Sequence, residues 1–182
     1  MLLSKMMFDD LPFLINLWYD NNVMRYADEF PRLRGWSKST DVQTAWETYQ
    51  EKHNEFGNDY VQLILRRDDG TPIGESFFIF LPEGYKFGKW GKPPKIKAHI
   101  GDIKLLPRYW GKGLGTQGMK EVVQFMFSNT KSELLIVPPH RMNPAAFKVY
   151  EKAGFVLFTG MRSWRNHKIM ELPRVRFNQI YC

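Results

Sequence analysis

The stretch RYWGKGLGTQG, residues 108–118, holds four glycines and directly follows the apolar stretch IKLLP. A glycine inside a helix or strand destabilises it by about 0.5–1 kcal/mol relative to alanine. Four glycines in one stretch therefore need a physical reason. A strand, a glycine-rich turn and a helix in that order present backbone N–H groups at the helix N-terminus, where a phosphate can bind. Residues 108–118 are therefore a candidate anion-binding turn.

Two widespread nucleotide-binding patterns were compared with this turn. A P-loop requires G-x-x-x-x-G-K-[S/T], and Lys112 follows the first glycine with no second glycine–lysine step, so this pattern fails. Residues 113–118 do satisfy the dinucleotide-binding pattern G-x-G-x-x-G. Glu133 lies about 20 residues on, where a Rossmann fold places an acidic residue. A short glycine pattern has little specificity by itself, so this interpretation stays open.

Outward from the turn, hydrophobic periodicity predicts alternating helices and strands. Before the turn we expect helices over residues 11–18 and 42–49, the first capped by Asp9 or Asp10 and the second within residues 39–41. A hairpin over residues 60–80, a loop over 82–95 and a strand over 96–107 follow. After the turn we expect an amphipathic helix over 119–126, a buried strand over 133–139, a helix capped by Asn143, and two short closing strands.

Two patterns occur in order around the turn. Arg108, Gly111 and Gly113 fit (Q/R)-x-x-G-x-(G/A), and NPAAFKVYEKAGF at residues 143–155 fits N-x-x-A-x-x-x-Y-E-K-x-G-F. Together they resemble the cofactor-binding signatures of the GCN5-related N-acetyltransferase (GNAT) superfamily. The resemblance is specific over residues 97–172 and is similar in style to the aminoglycoside 6′-N-acetyltransferase and ribosomal-protein acetyltransferase branches. It implies one α/β (α+β) domain over residues 1–182, with a mixed, mostly antiparallel twisted sheet flanked by helices.

The resemblance also implies acetyl-CoA as the co-substrate, with its pyrophosphate over the glycine turn. A side chain on a turn glycine would block the pyrophosphate, and basic side chains beside it add positive charge. We expect no metal. The expected cofactor-binding residues are Leu105, Leu106, Arg108, Gly111, Lys112, Gly113, Leu114, Gly115, Thr116, Asn143 and Tyr150.

Acetyl transfer to an amine needs a proton acceptor, because an alkylammonium has a pKa near 10. The carboxylate of Asp102 precedes the turn on the predicted strand, where carboxylate bases of the resembled family are often found. Alternation places Asp102 on one face with Ile100 and Lys104, up to the bulge that the family has in this strand. A solvated or structurally paired Asp102 remains the alternative, and His99 and Glu75 are weaker candidates for the base.

The departing CoA thiolate needs a proton, and its pKa is about that of a cysteine, 8.5. The resemblance assigns this role to the Tyr150 phenol, and a core aromatic residue is the alternative. The backbone N–H near Leu105 or Leu106 would stabilise the carbonyl oxygen as charge develops on it. The sole cysteine, Cys182, ends the chain, so we expect direct transfer rather than a covalent enzyme intermediate.

Charge is unevenly distributed along the 182 residues. The net charge is +7, yet residues 1–60 hold six Lys/Arg against ten Asp/Glu, which leaves the remainder strongly basic. The resemblance implies an amine acceptor bound by the first two helices, where the family builds its acceptor site. Together with the charge, it leads us to expect a small cationic molecule or a peptide amine against the acidic N-terminal part, near Asp20, Asp28 and Glu29. Ordinary solvated or capping roles for these three residues are the alternative.

Several classes of partner and location are disfavoured. No helix-turn-helix, zinc-finger or aromatic RNA-binding pattern points to nucleic acid. The longest apolar runs, such as residues 77–81, are too short to span a membrane. The first residues lack an apolar signal core and there is one cysteine, so we expect a cytoplasmic monomer or homodimer. The two candidate functions are an N-acetyltransferase and a module that binds acetyl-CoA or a nucleotide without turnover.

Overall fold

The computed structural model describes residues 1–26, 41–81, 96–159 and 166–182. Asp28, Glu29 and the expected loop over residues 82–95 lie outside these ranges. The strands are β1 (Leu2–Lys5), β2 (Tyr60–Arg66), β3 (Pro72–Leu81), β4 (Ala98–Leu105), β5 (Leu134–Val137), β6 (Val156–Leu157) and β7 (Met170–Pro173). The helices are α1 (Leu11–Trp18), α2 (Asn21–Met24), α3 (Val42–Phe56), α4 (Leu114–Asn129), α5 (Pro144–Lys152) and α6 (Arg174–Tyr181).

In the described residues, seven strands form one sheet in the order β1-β2-β3-β4-β5-β7-β6. Within it, β4 and β5 run parallel and the other neighbouring pairs run antiparallel. The predicted mixed, mostly antiparallel sheet is therefore confirmed. A Rossmann fold requires a mostly parallel sheet, so the dinucleotide-binding interpretation of the glycine pattern is wrong.

Helices cover both faces of the sheet. On one face, α1 and α3 bury Leu11, Leu14 and Ala45 against β2. On the other face, α4, α5 and α6 form the larger core cluster, in which Met119 and Met126 of α4 are fully buried. No helix in the described ranges combines the length and apolar character needed to cross a bilayer.

The helix starts follow the predicted caps in two cases out of three. The Asp41 carboxylate accepts the N–H of Thr44 at 2.9 Å to begin α3. The Asn143 side chain accepts the N–H of Ala146 at 3.2 Å to begin α5. At α1, by contrast, neither expected aspartate caps the helix with its side chain. The Asp10 carboxylate instead accepts the N–H of Met7 and pairs with Arg66, because a short 3-10 turn precedes α1.

The sequence patterns missed β1, α2 and α6. The chain ends in α6 rather than in a strand, and long-range contacts hold this helix in place. The Arg174 guanidinium donates to the carbonyl oxygens of Ser132, Phe127 and Thr130 at 2.8, 2.9 and 3.2 Å. These carbonyls lie at and beyond the end of α4, where helical partners run out. The ring centroid of Phe177 lies 4.5 Å from that of Phe127.

Candidate active site

The candidate site begins where β4 and β5 separate. Their parallel pairing covers Ala98–Ile100 against Leu134–Ile136 and ends there, while β4 continues to Leu105. Across the part of the chain that the structure describes, no strand pairs with this side of β4 beyond Ile100. Backbone groups on an open edge need other partners, so this edge can hydrogen-bond to a bound molecule.

The opening does not come from a bulge in β4. The register between β3 and β4 runs without interruption from Leu81 opposite Ala98 to Gly74 opposite Leu105. The bulge that we expected in β4 is therefore absent from its described pairing with β3. The strand stays paired with β3 and diverges from the much shorter β5.

The glycine turn lies between the end of this open edge and the start of α4. Gly111 and Gly113 have φ values of 72° and 77°, in the left-handed region that favours glycine. Gly113 caps α4 without a side-chain hydrogen bond, so the first N–H groups of the helix, at Leu114, Gly115 and Thr116, have no helical partner. These three orphan donors and the positive end of the helix dipole suit an anion.

The other two glycines of this stretch have packing roles. A Cβ at Gly115 would lie 3.2 Å from Leu105 Cδ1 and 3.4 Å from a methyl group of Val149. A Cβ at Gly118 would lie 2.1 Å from Leu65 Cδ2, which is far too close. The G-x-G-x-x-G spacing thus reflects one left-handed turn followed by close contact between α4 and its neighbours.

Of the two expected oxyanion donors, the N–H groups of Leu105 and Leu106, only one points to the open side of β4. The N–H of Leu106 donates to the carbonyl oxygen of Ile73 at 2.9 Å, so it is not available to a ligand. Successive residues of a strand point their N–H groups to opposite sides. The N–H of Leu105 therefore points away from β3, toward the side of β4 that β5 leaves open.

Tyr150 reaches β4 from α5. Its side chain is buried, and burial raises the pKa of the Tyr150 phenol well above its ordinary value. The nearby Asp102 carboxylate raises this pKa further, while a backbone hydrogen bond with Ile103 lowers it. The phenol therefore keeps its proton at neutral pH. The structure brings Tyr150 and Asp102, from the two sequence patterns, to the same stretch of β4.

Asp102 is the carboxylate of this site. Its Oδ2 forms an ion pair with the Lys104 ammonium. Its Oδ1 is buried and has no hydrogen-bond partner within the described ranges. The predicted alternation of β4 holds, because Asp102 and Lys104 share a face and residue 103 faces the other way.

A buried polar cluster, formed by Trp18, Tyr60, Gln62, Glu75 and Lys104, lies on the same face as Asp102. The Trp18 indole and the Gln62 amide both donate to the carboxylate of Glu75, which has no exposed surface. The Tyr60 hydroxyl donates to Gln62 at 3.1 Å. The Lys104 ammonium lies 4.3 Å from the ring centroid of Trp18.

The two weaker candidates for the base have other surroundings. His99 sits at an odd position of β4, so it faces away from Asp102. It is fully buried, and burial lowers the pKa of His99 to about 4. Glu75 does face the site, but both of its oxygens accept hydrogen bonds from Trp18 and Gln62.

The remaining predicted residues lie around this centre. Arg108 and Lys112 are exposed at the turn, and the Arg108 guanidinium lies 5.1 Å from the ring centroid of Tyr109. Beside the turn is a cavity of about 660 Å³ that Lys112, Leu114 and Tyr109 help to line. Asp20 caps α2 by accepting the N–H groups of Asn22 and Val23, which is the structural role left open above.

A family model described as "Acetyltransferase (GNAT) domain" matches residues 1–156 of the chain. This match covers most of the sequence and includes the turn, Asp102 and Tyr150. The chain belongs to the GNAT acetyltransferase family. The resemblance in the two sequence patterns is thereby confirmed.

Solved structures support the fold of this GNAT protein. Aminoglycoside acetyltransferase AAC(6')-Ib, solved with coenzyme A and kanamycin, superposes with a TM-score of 0.72 at 20% identity, covering 99% of this chain and 98% of that one. Spermidine N-acetyltransferase from Vibrio cholerae, solved with CoA and spermine, superposes with a TM-score of 0.71 at 19% identity, covering 97% of both chains.

Phe77 lies directly opposite Asp102 in the β3–β4 register, and its ring centroid lies 5.0 Å from the Lys104 ammonium. The sequence patterns did not single out Trp18, Phe77 or Lys104 as site residues. The helical spacing of Trp18 indicated only a core position. The alternation of β4 did place Lys104 beside Asp102, and this is the one signal that could have identified it.

Proposed function

We propose that this GNAT protein moves the acetyl group of acetyl-CoA directly onto a primary amine. The observation that carries the proposal is the meeting of Asp102 and Tyr150 at the open edge of β4. One supplies a carboxylate with an unpartnered oxygen, and the other supplies a protonated buried phenol. A protein that only held acetyl-CoA would need neither group at this edge.

The cofactor is held mainly by backbone in this proposal. The pyrophosphate lies over Gly111, Lys112 and Gly113 and accepts hydrogen bonds from the N–H groups at the start of α4 that have no helical partner. Arg108 adds positive charge. The amides of the pantetheine arm hydrogen-bond to the open edge of β4 as a strand would. Asn143, already the cap of α5, is the residue that we expect to contact the pantetheine arm as well. The acetyl-thioester supplies an activated carbonyl carbon beside Leu105.

The chemical step is an addition followed by an elimination. Asp102 Oδ1 accepts a proton from the acceptor's ammonium, and the freed nitrogen lone pair attacks the thioester carbon. The N–H of Leu105 stabilises the oxyanion of the tetrahedral intermediate. As the C–S bond breaks, the nitrogen releases its second proton to solvent, and Tyr150 donates a proton to the leaving thiolate. Solvent reprotonates the phenol, and the proton on Asp102 leaves to solvent.

The raised pKa of Tyr150 is compatible with this proton donation. The same buried surroundings that disfavour a phenolate also disfavour a thiolate, so the pKa of the CoA thiol rises together with that of the phenol. The difference between these two pKa values sets the driving force for the transfer. Because both pKa values rise, this difference changes less than the pKa of the phenol does. The phenol also stabilises the developing thiolate by hydrogen bonding.

The acceptor in this proposal is a small cationic amine or a peptide amine. The acidic first third of the chain supports a cation, and so do the aminoglycoside and polyamine found in the two structural neighbours. Trp18 and Phe77 add aromatic faces beside Asp102, and aromatic faces attract cations.

The test is a thiol-release assay with acetyl-CoA and a panel of acceptors: kanamycin, spermine, a peptide with a free N-terminus, and a neutral alcohol. We expect amine-dependent release of free CoA, with the acetylated amine confirmed by mass spectrometry, and no release with the alcohol. Binding of acetyl-CoA without release for any amine would support the alternative, a binding module.

A further inference from the structure

Lys104 is an unusual residue for the middle of a sheet face. Its side chain is almost fully buried, at 6% exposure. Its ammonium lies 4.3 Å from the ring centroid of Trp18 and 5.0 Å from that of Phe77, in addition to its ion pair with Asp102. Two aromatic faces and a carboxylate thus surround one cation, and buried charges of this kind need such compensation.

The surroundings of Lys104 are themselves fixed. Glu75 lies directly opposite Lys104 in the β3–β4 register. The Glu75 carboxylate accepts from the Trp18 indole, and this hydrogen bond sets the plane of the ring that Lys104 contacts. The Gln62 amide holds the other oxygen of Glu75 at 2.8 Å. Residues from α1, β2, β3 and β4 therefore combine to define one position for the Lys104 ammonium.

The ion pair makes the two oxygens of Asp102 unequal. Oδ2 is bound to Lys104, whereas Oδ1 is buried without a hydrogen-bond partner among the residues that the structure describes. A buried acceptor without a hydrogen bond is unfavourable, so its persistence calls for a partner that arrives from outside. An incoming ammonium is such a partner, because it carries three donors and a positive charge.

We propose that Lys104 is a positioning residue for acetyl transfer, which holds Oδ2 of Asp102 so that Oδ1 faces the acceptor's nitrogen. This inference rests on the proposed function. Lys104 does not touch the reacting atoms in this account. It acts through Asp102, by fixing the rotation of the carboxylate.

A purely structural role would have different consequences. A buried ion pair contributes little net stability, and breaking it destabilises the fold without changing the chemistry of the molecules that remain folded. A positioning role lowers kcat of the folded enzyme with a smaller change in KM. The titratable groups near Asp102 in the described elements are Lys104 on β4 and Glu75 on β3, which share its face, and Tyr150 of α5, which packs on the other face of the sheet.

The experiment measures pH profiles of kcat and kcat/KM for Lys104→Met with the best acceptor of the panel. Methionine keeps an apolar stem between the rings and removes the ammonium. Misplacement of the carboxylate should lower kcat by roughly 10–100-fold, with a smaller change in KM.

Two matched variants sharpen the comparison. Lys104→Arg keeps a cation that can lie on aromatic faces, so it should restore kcat toward the wild-type value. Lys97→Met removes the ammonium of another lysine–aspartate pair, with Asp59, directly before the same strand. It should leave both the profile and kcat unchanged. If Lys104→Met does not fold, Lys104→Met with Glu75→Gln removes both facing charges and takes its place.

The outcomes separate this inference from the proposed function. A folded Lys104→Met enzyme with the wild-type profile and kcat, alongside an inactive Asp102→Asn, would overturn the positioning role and leave acetyl transfer intact. An Asp102→Asn variant with wild-type kcat would overturn both the base assignment and the positioning role. A fall in kcat of Lys104→Met, with a smaller change in KM, that Lys104→Arg reverses supports the inference.

Discussion

The glycine turn before α4 and the polar cluster beneath α1 both adjoin β4, yet the turn consists of backbone groups and the cluster of side chains. The turn offers backbone N–H groups from consecutive residues, and its shape depends on the left-handed φ of Gly111 and Gly113. The cluster offers side chains from α1, β2, β3 and β4, and each is held by another of its members. A short stretch of sequence therefore suffices for the first, whereas the second exists only in the folded chain.

This difference matches what each region has to recognise in our proposal. The pyrophosphate of acetyl-CoA is the same for every acceptor, and backbone donors in a fixed turn suit it. The acceptor requires particular charges, ring faces and widths, which only side chains can supply. Substitutions in the turn should therefore affect cofactor binding for all acceptors, and substitutions in the cluster should affect the chemical step and the choice of acceptor.

The largest effect is expected at the point where the two regions meet. Tyr150→Phe keeps the buried ring and removes the proton donor, so kcat should fall by about 10²–10⁴-fold while KM changes little. Steady-state kinetics with saturating acetyl-CoA measures this. Tyr181→Phe is the control, because the Tyr181 hydroxyl donates to the carbonyl of Ala153, away from β4. Unchanged turnover in Tyr150→Phe would make Tyr150 a core residue only.

A substitution confined to the glycine turn tests whether its backbone N–H groups bind the pyrophosphate. Gly113→Asp places a carboxylate where we propose the pyrophosphate lies, and repulsion of like charges costs several kcal/mol. Each 1.4 kcal/mol is tenfold in the dissociation constant, so calorimetry should record a loss of about 100-fold or more in affinity for acetyl-CoA. Gly113→Asn has the same shape and backbone strain without the charge, and it should lose far less. Equal affinity for acetyl-CoA in the two variants would contradict the proposal that the pyrophosphate binds at this turn.

The sequence patterns predicted the turn region well for a physical reason. Positive φ values, a capping Asn143 and the apolar stripe of α5 are properties of neighbouring residues, so spacing alone reveals them. The strand β1 and the helix α6 were missed because their order comes from distant partners, such as Phe127 for α6. The buried cluster was missed for the same reason, since nothing near Trp18 in the chain indicates a hydrogen bond to Glu75.

A third prediction contrasts the two faces of β4. Burial holds the pKa of His99 at about 4, below the value of about 6.5 in the unfolded chain. Between these values the unfolded chain binds more protons, so the stability that neutral His99 contributes is present above pH 6.5 and is lost as pH falls toward 4. The loss approaches about 3 kcal/mol, from 1.36 kcal/mol for each pKa unit.

Urea unfolding at several pH values measures this effect. The fall in unfolding free energy between pH 6.5 and 4 should be smaller in His99→Gln than in the wild type, and kcat at neutral pH should be the same in both. His53→Gln, on the partly exposed end of α3, is the control. A large fall in kcat for His99→Gln would contradict the assignment of the chemistry to the Asp102 face.

The smallest effect concerns the acceptor before it reaches the cluster. The triple variant Asp20→Asn, Asp28→Asn and Glu29→Gln removes three negative charges, and asparagine at position 20 can still cap α2. If these charges attract the cation, kcat/KM should fall roughly three- to tenfold at low salt, and the loss should disappear as the Debye length shortens to about 8 Å at physiological salt.

The control for this prediction removes the same charge from an exposed surface. Glu47, Glu51 and Glu55 lie on the exposed side of α3. Their replacement by glutamine should leave kcat/KM unchanged at every salt concentration. If both triple variants behave alike, the acidic first third acts through its total charge, and the three predicted residues have no special place in the mechanism.

A crystal structure of the protein with CoA tests the central claim most directly, because the two regions are proposed to meet at the thiol. We predict that the pyrophosphate lies over Gly111 and Gly113, that the pantetheine arm follows the open edge of β4, and that the CoA sulfur lies within hydrogen-bond reach of the Tyr150 hydroxyl, directly or through one water molecule. A CoA molecule bound away from the turn, or a sulfur atom remote from Tyr150, would contradict the account.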